Sequence, residues 1–159
     1  MRWPESAPPP VAGPDPTGVA AAPAPVRVLV AEDNAALRDV VCRALRRAGY
    51  AVIEAGDGVE CVGYAQPWAF RGQPIEPPDV IVSDIRMPGW SGLEALEILR
   101  AADQPAPIIL MTAFGSAETH ELAARLGASY VIDKPFDVDD LVALVGEMAA
   151  LRRAAEKAS

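Results

Sequence analysis

The run DVIVSD at residues 79–84 has the features of a short buried β-strand that ends in a carboxylate. Four similar runs occur along the chain, and segments with apolar residues every three or four positions separate them. This alternation is typical of a parallel sheet covered by helices on both faces, so we predict an α/β, doubly wound, five-stranded parallel sheet with five helices. The predicted strands are VRVLVAE (26–32), AVIEA (51–55), DVIVSD (79–84), PIILMT (107–112) and SYVID (129–133).

Local signals indicate where the last three helices begin. Ser91 followed by Glu94 matches a capping box for the third helix, and Ser116 and Asp137 are suitable N-caps for the fourth and fifth. Gly127 stands where the fourth helix should end. These signals predict three helices of ordinary length after residue 90.

The composition divides the chain into three parts. Residues 1–25 hold half of the 16 prolines and are predicted to form a disordered Pro/Ala-rich tail. Residues 26–151 are predicted to form the folded domain, and residues 152–159 a short extension of the last helix. This remainder is too short for an output domain, so we expect a domain that acts alone.

Charge and hydropathy exclude several classes of protein. The 22 acidic and 14 basic residues give a formal net charge of -8, which argues against binding to nucleic acid. The longest charge-free stretch of the folded part, residues 104–117, is too short to span a membrane, and prolines interrupt any secretory signal. We therefore expect a cytoplasmic protein with no membrane or nucleic-acid partner.

Polar residues follow the predicted strands at the edge where an open parallel sheet binds its ligand. Glu32 and Asp33 follow the first strand, Asp84 ends the third, Thr112 ends the fourth, and Lys134 follows the fifth. Three carboxylates placed together repel one another unless a cation is present, and Mg2+ prefers oxygen ligands. An aspartate beside a metal, a lysine and a hydroxyl suit phosphoryl transfer. The pattern predicts a phosphoryl-accepting site.

Four motifs at these strand ends are similar to the receiver domain of bacterial two-component response regulators. The motifs are VLVAEDN (28–34), IVSDIRMPGWSG (81–92), ILMTAFG (109–115) and DKPF (133–136). The resemblance implies a flavodoxin-like sheet with strand order 2-1-3-4-5. It also implies that Asp33 binds Mg2+ directly and Glu32 through water, with Asp84 and the backbone carbonyl of Arg86 as further ligands.

The same resemblance implies the roles of the remaining site residues. Asp84 would accept the phosphoryl group from a phosphohistidine on a sensor histidine kinase or a phosphotransfer protein. Thr112 would be the switch hydroxyl that moves to the phosphoryl group, and Lys134 would pair with that group, with a cis bond between Lys134 and Pro135. Autodephosphorylation is expected to be slow, with Arg86 and Phe114 hindering the attacking water.

Two stretches depart from the family pattern. Receivers usually carry an aromatic residue three positions before the lysine, whereas this chain has Val131 there and Tyr130 one residue earlier. A rotating aromatic switch is therefore replaced by a smaller repacking of Val131 or by backbone shifts after Thr112. The link at residues 64–78 is longer than usual and carries Trp68 and Phe70. These aromatic residues either fold back on the second helix or anchor a partner.

The resemblance places the output on the face formed by the fourth helix, fifth strand and fifth helix. Phosphorylation would control the binding of a downstream protein at this face, or the phosphoryl group would be passed on in a relay. The sequence leaves open whether phosphorylation causes dimerisation through the same face. His120 is predicted to be an exposed residue of the fourth helix.

The alternative function is an Asp-nucleophile, Mg2+-dependent phosphatase of the haloacid dehalogenase-like class. The Glu32-Asp33 pair and the nucleophile on the third strand argue against it.

Overall fold

A computed structural model describes residues 24–66 and 76–158 of the chain. Most of the predicted tail, together with Trp68 and Phe70, lies outside these residues. Five parallel strands form one sheet in the order β2-β1-β3-β4-β5, which confirms the predicted fold. Each strand begins or ends within about one residue of its predicted position. The strands are β1 (Arg27–Ala31), β2 (Ala51–Ala55), β3 (Val80–Asp84), β4 (Ile108–Thr112) and β5 (Tyr130–Asp133).

Five helices connect and cover the strands, and their ends follow the predicted caps. Ser91 and Glu94 form a complete capping box, and the side chains of Ser116 and Asp137 accept hydrogen bonds as N-caps. Gly127 ends its helix with a φ of 103°, which favours glycine. Among the described helices none is both long and apolar enough to cross a membrane. The helices are α1 (Ala35–Arg47), α2 (Gly58–Ala65), α3 (Gly92–Ala101), α4 (Ala117–Leu126) and α5 (Val138–Lys157).

The core consists of one apolar layer on each face of the sheet. Side chains of a strand alternate between faces, so Val28 and Val30 of β1 pack in the layer under α1 and α5. Leu29 and Ala31 pack in the layer under α2, α3 and α4. Because both faces are covered, the inner strands are continuous apolar runs. The polar residues of these strands are therefore concentrated at their carboxyl ends.

Arg100 joins the end of α3 to the segments that follow it. Its Nη1 donates to the backbone oxygens of Gln104 and Ala106 at 2.7 and 2.9 Å, and its Nε and Nη2 donate to the oxygen of Gly127 at 3.1 and 2.9 Å. One guanidinium thus satisfies three carbonyls, including the one at the C-cap of α4.

Replacing Arg100 with methionine should lower the free energy of unfolding by about 2–4 kcal/mol, because it removes charge-assisted hydrogen bonds and leaves carbonyls unpaired. Urea denaturation followed by circular dichroism measures this change. Arg125→Met, on the exposed side of α4, is the matched control and should change the free energy by less than about 0.5 kcal/mol. Equal effects of the two substitutions would contradict this role of Arg100.

Candidate functional site

The carboxyl edge of the sheet brings three carboxylates together. Glu32 and Asp33 follow β1, and Asp84 is the last residue of β3. The two strands are parallel neighbours with Ala31 opposite Ser83, so their ends lie at the same height. Carboxylate oxygens of the three acids lie within 4.8 Å of one another. Glu32 and Asp84 are buried, with 1% and 6% exposure, whereas Asp33 is open to solvent.

Lys134 supplies the positive charge at this edge. Its Nζ lies 3.2 Å from Oε2 of Glu32 and 3.3 Å from Oδ2 of Asp84. The peptide bond between Lys134 and Pro135 is cis, as predicted. The structure therefore brings Glu32, Asp33, Asp84 and Lys134 into one cluster.

The electrostatics of this cluster favour a divalent cation. Burial raises the pKa of Glu32, and the negative charge of Asp84 raises it further, while Lys134 acts in the opposite direction. Three carboxylates face one ammonium, so the cluster carries an excess of negative charge. The donor set consists entirely of carboxylate oxygens, which fits Mg2+.

Two residues that the sequence analysis missed hold the acid pair in place. Nη1 of Arg38, in the first turns of α1, donates to the backbone oxygen of Glu32 at 2.6 Å, and its Nε lies 3.5 Å from Oε1 of Glu54. The backbone N–H of Asn34 donates to Oε1 of Glu32 at 3.3 Å. The sequence signal for this contact was an arginine six residues after Glu32. Its contact depends on the rotation of α1 against the sheet.

Thr112 stands at the carboxyl end of β4, where its strand position was predicted. It is 5% exposed, and its Oγ1 accepts a hydrogen bond from the backbone N–H of Phe114 at 3.2 Å. Its backbone oxygen accepts from the N–H of Lys134 at 2.7 Å. Thr112 is therefore adjacent to the lysine of the cluster through the backbone.

A sequence model described as the response regulator receiver domain matches residues 28–146. The chain belongs to this family. The receiver is similar to the transcriptional regulatory protein PdtaR of Mycobacterium tuberculosis, with 37% identity over 138 residues. That match covers 86% of this chain and 62% of PdtaR. The phosphate regulon transcriptional regulatory protein PhoB of Klebsiella pneumoniae is 35% identical, and that match covers 80% of this chain and 52% of PhoB.

Solved receivers have the same fold. The Vibrio cholerae chemotaxis protein CheY4 aligns with a TM-score of 0.68 and 31% identity, over 79% of this chain and 99% of that one. The receiver domain of the Francisella response regulator 1452 aligns with a TM-score of 0.71 and 27% identity, over 79% of this chain and 97% of that one.

The chain spans less than two thirds of the length of PdtaR and about half of the length of PhoB. The expectation of a receiver that acts alone stays a prediction.

The loops after Asp84 and Thr112 meet above the receiver's acidic cluster. Asp33 and Arg86 line one shallow groove. The guanidinium carbon of Arg86 lies 4.6 Å from the ring centroid of Phe114, a cation–π contact between the two loops. Phe114 is 67% exposed and Arg86 is also exposed, so the contact lies at the surface of the site.

The fifth strand has no aromatic residue at the usual inner position. Val131 is half-buried against the layer under α2, α3 and α4, whereas Tyr130 is half-exposed. β5 is an edge strand, and Tyr130 lines the grooves on both of its sides, toward α4 and toward α5. The departure from the family pattern therefore places the ring of Tyr130 on the surface.

Proposed function

We propose that this receiver accepts a phosphoryl group on Asp84 in a Mg2+-dependent reaction. The donor is a phosphohistidine of a sensor histidine kinase or a phosphotransfer protein. The observation that carries the proposal is the placement of the Asp84 carboxylate 3.3 Å from Nζ of Lys134, within a cluster of two further carboxylates. Membership of the receiver family supports the same conclusion.

The reaction forms a bond between a carboxylate oxygen of Asp84 and phosphorus and breaks the bond between phosphorus and the histidine nitrogen. The imidazole leaves with the electron pair of that bond. Asp33, Asp84 and the backbone carbonyl of Arg86 would hold the metal, and Glu32 would assist through water. When bound, Mg2+ neutralises negative charge on the phosphoryl oxygens.

Lys134 and Thr112 act on the phosphoryl group after transfer. The Lys134 ammonium, already beside Asp84, pairs with a phosphoryl oxygen, and the Thr112 hydroxyl moves from Phe114 toward another. Either Val131 repacks as Thr112 moves or the backbone after Thr112 shifts. The charge added at Asp84 thereby shifts the population of the receiver toward the arrangement in which Thr112 contacts the phosphoryl group.

The signal leaves the receiver by phosphorylation-dependent protein binding or by relay of the phosphoryl group. The face formed by α4, β5 and α5 carries it, because β5 pairs with the strand that ends in Thr112 and itself ends next to Lys134. Tyr130 is half-exposed at its centre, which supports contact with a partner there. A homodimer that depends on phosphorylation would use the same face.

Acetyl phosphate and Mg2+ provide the direct test, because a small donor needs no cognate kinase. Intact-mass spectrometry should show one added phosphoryl group that persists long enough to be measured. Continuous turnover of phosphate esters without an adduct would instead support the phosphatase alternative. No adduct and no turnover would contradict both functions.

Phe114→Ala should accelerate autodephosphorylation if, as we propose, Arg86 and Phe114, which are in contact, hinder the attacking water. We expect about a 2- to 5-fold higher rate, which corresponds to the loss of an exposed cation–π contact. The decay of the phosphoryl adduct after removal of acetyl phosphate measures the rate. Phe114→Tyr keeps the ring and should decay like the wild type, whereas equal rates for all three proteins would contradict this role of Phe114.

A further inference from the structure

A side-chain contact joins α4 to the end of β5. Nε2 of His120, in the first turns of α4, lies 3.0 Å from Oδ1 of Asp133, the last residue of β5. The two side chains are 37% and 57% exposed, so neither is fixed by burial alone. The contact spans 13 residues of sequence and connects two elements of the output face.

The loop between β4 and α4 passes directly against this pair. A Cβ atom added at Gly115 would overlap Oδ1 of Asp133 and would lie 2.8 Å from Nε2 of His120. The φ of Gly115 lies outside the left-handed region, so lack of space rather than backbone conformation accounts for the glycine. The His120–Asp133 pair and the loop are therefore packed without room for a methyl group.

The same loop begins at the switch hydroxyl. Oγ1 of Thr112 accepts from the N–H of Phe114, the residue before Gly115. Thr112 is also paired with Asp133 in the register of β4 and β5. Thr112 is thus joined to the His120–Asp133 pair from two directions, through the loop and through the sheet. Movement of its hydroxyl toward a group on Asp84 would break the hydrogen bond that joins it to this loop.

We propose that His120 and Asp133 are positioning residues for Thr112. Their contact holds the loop in the arrangement in which the Thr112 hydroxyl is bound to Phe114, and phosphoryl acceptance at Asp84 works against that contact. This inference rests on the proposed function, since it describes how the phosphoryl-accepting site is regulated.

Loss of the contact should favour the arrangement that binds a phosphoryl group. A ligand shifts an equilibrium by its differential affinity for the two states, so weakening the unphosphorylated arrangement tightens binding at Asp84. Beryllofluoride with Mg2+ is the probe, because it occupies an aspartate as a phosphoryl group does. His120→Ala should lower its dissociation constant about 2- to 10-fold, the factor that one hydrogen bond supplies.

A double-mutant cycle separates this role from a general loosening of the fold. His120→Ala, Asp133→Ala and the double variant should have similar affinities, because removal of either partner already breaks the contact. His120→Gln retains a donor for Asp133 and should stay close to the wild type. Glu121→Ala, on the adjacent exposed position of α4, is the control and should leave the affinity unchanged. Additive effects in the double variant would overturn the proposal.

Nuclear magnetic resonance gives a second readout. The chain has one histidine, so in a protein without a tag its imidazole signals belong to His120. Beryllofluoride should shift these signals in the wild type and shift them much less in Thr112→Val, with the two proteins compared at equal occupancy by the probe. An unmoved imidazole, or equal affinities of wild type and His120→Ala, would overturn the inference alone. If the wild type did not bind beryllofluoride at all, the proposed function itself would fail.

Discussion

Asp84→Asn is expected to abolish phosphoryl acceptance from acetyl phosphate while the domain stays folded. The amide of asparagine has nearly the same shape as the carboxylate but is not a nucleophile toward phosphorus. Asp84 is 6% exposed at the end of β3, and the substitution removes a charge from a cluster with excess negative charge. Lys134 retains Glu32 as a partner at 3.2 Å, so no unpaired ammonium is left.

Intact-mass spectrometry after incubation with Mg2+ and acetyl phosphate should detect no added phosphoryl group on Asp84→Asn. Asp139→Asn, an exposed acid in the first turn of α5, is the matched control and should be modified like the wild type. Circular dichroism should show the same secondary structure in all three proteins. An adduct of normal abundance on Asp84→Asn would show that another side chain accepts the group and would contradict the assignment.

The fold was predictable because its signals are local. The β-branched apolar runs lie close to charged, proline or glycine residues, and the Ser91–Glu94 capping box involves only residues of one helical turn. The excess of apolar residues on both faces of a strand such as β1 indicates a sheet covered twice, as the two core layers confirm. Such patterns leave few alternatives for the topology.

The site was predictable in part because parallel strands align their carboxyl ends. Adjacent β1 and β3 bring Glu32 and Asp84 together once the strand order is known, and the order came from the resemblance to receivers. The contacts of Arg38 with Glu32 and of His120 with Asp133 were not predictable. Each depends on how a helix is rotated and tilted against the sheet, and a single sequence does not specify that geometry.

The charge balance connects these observations. The acidic excess of the sequence first argued only against nucleic acid, but the structure places three of the acids at one strand edge with a single lysine. Burial and Asp84 together raise the pKa of Glu32, and a cation bound beside the three acids would oppose this effect. We therefore expect phosphoryl acceptance at Asp84 to require Mg2+.

Asp33→Asn should weaken Mg2+ binding by at least about 10-fold, the lower end of what loss of an outer-shell partner costs at a metal site. Asp33 is exposed, so the substitution should change the free energy of unfolding by less than about 0.5 kcal/mol in metal-free buffer. Isothermal titration calorimetry measures the affinity directly. Asp39→Asn, an exposed acid of α1 outside the cluster, is the control and should bind Mg2+ like the wild type.

The same variant tests whether metal and phosphoryl transfer are linked. At a Mg2+ concentration that half-saturates the wild type, Asp33→Asn should gain the phosphoryl adduct at least several-fold more slowly, and excess chelator should stop both proteins. Higher Mg2+ should restore part of the rate, since the proposed ligands Asp84 and Glu32 remain. A rate that is independent of Mg2+, or unchanged affinity in Asp33→Asn, would contradict the metal site. Of the positive charges that we propose to act at Asp84, Lys134 alone would then remain.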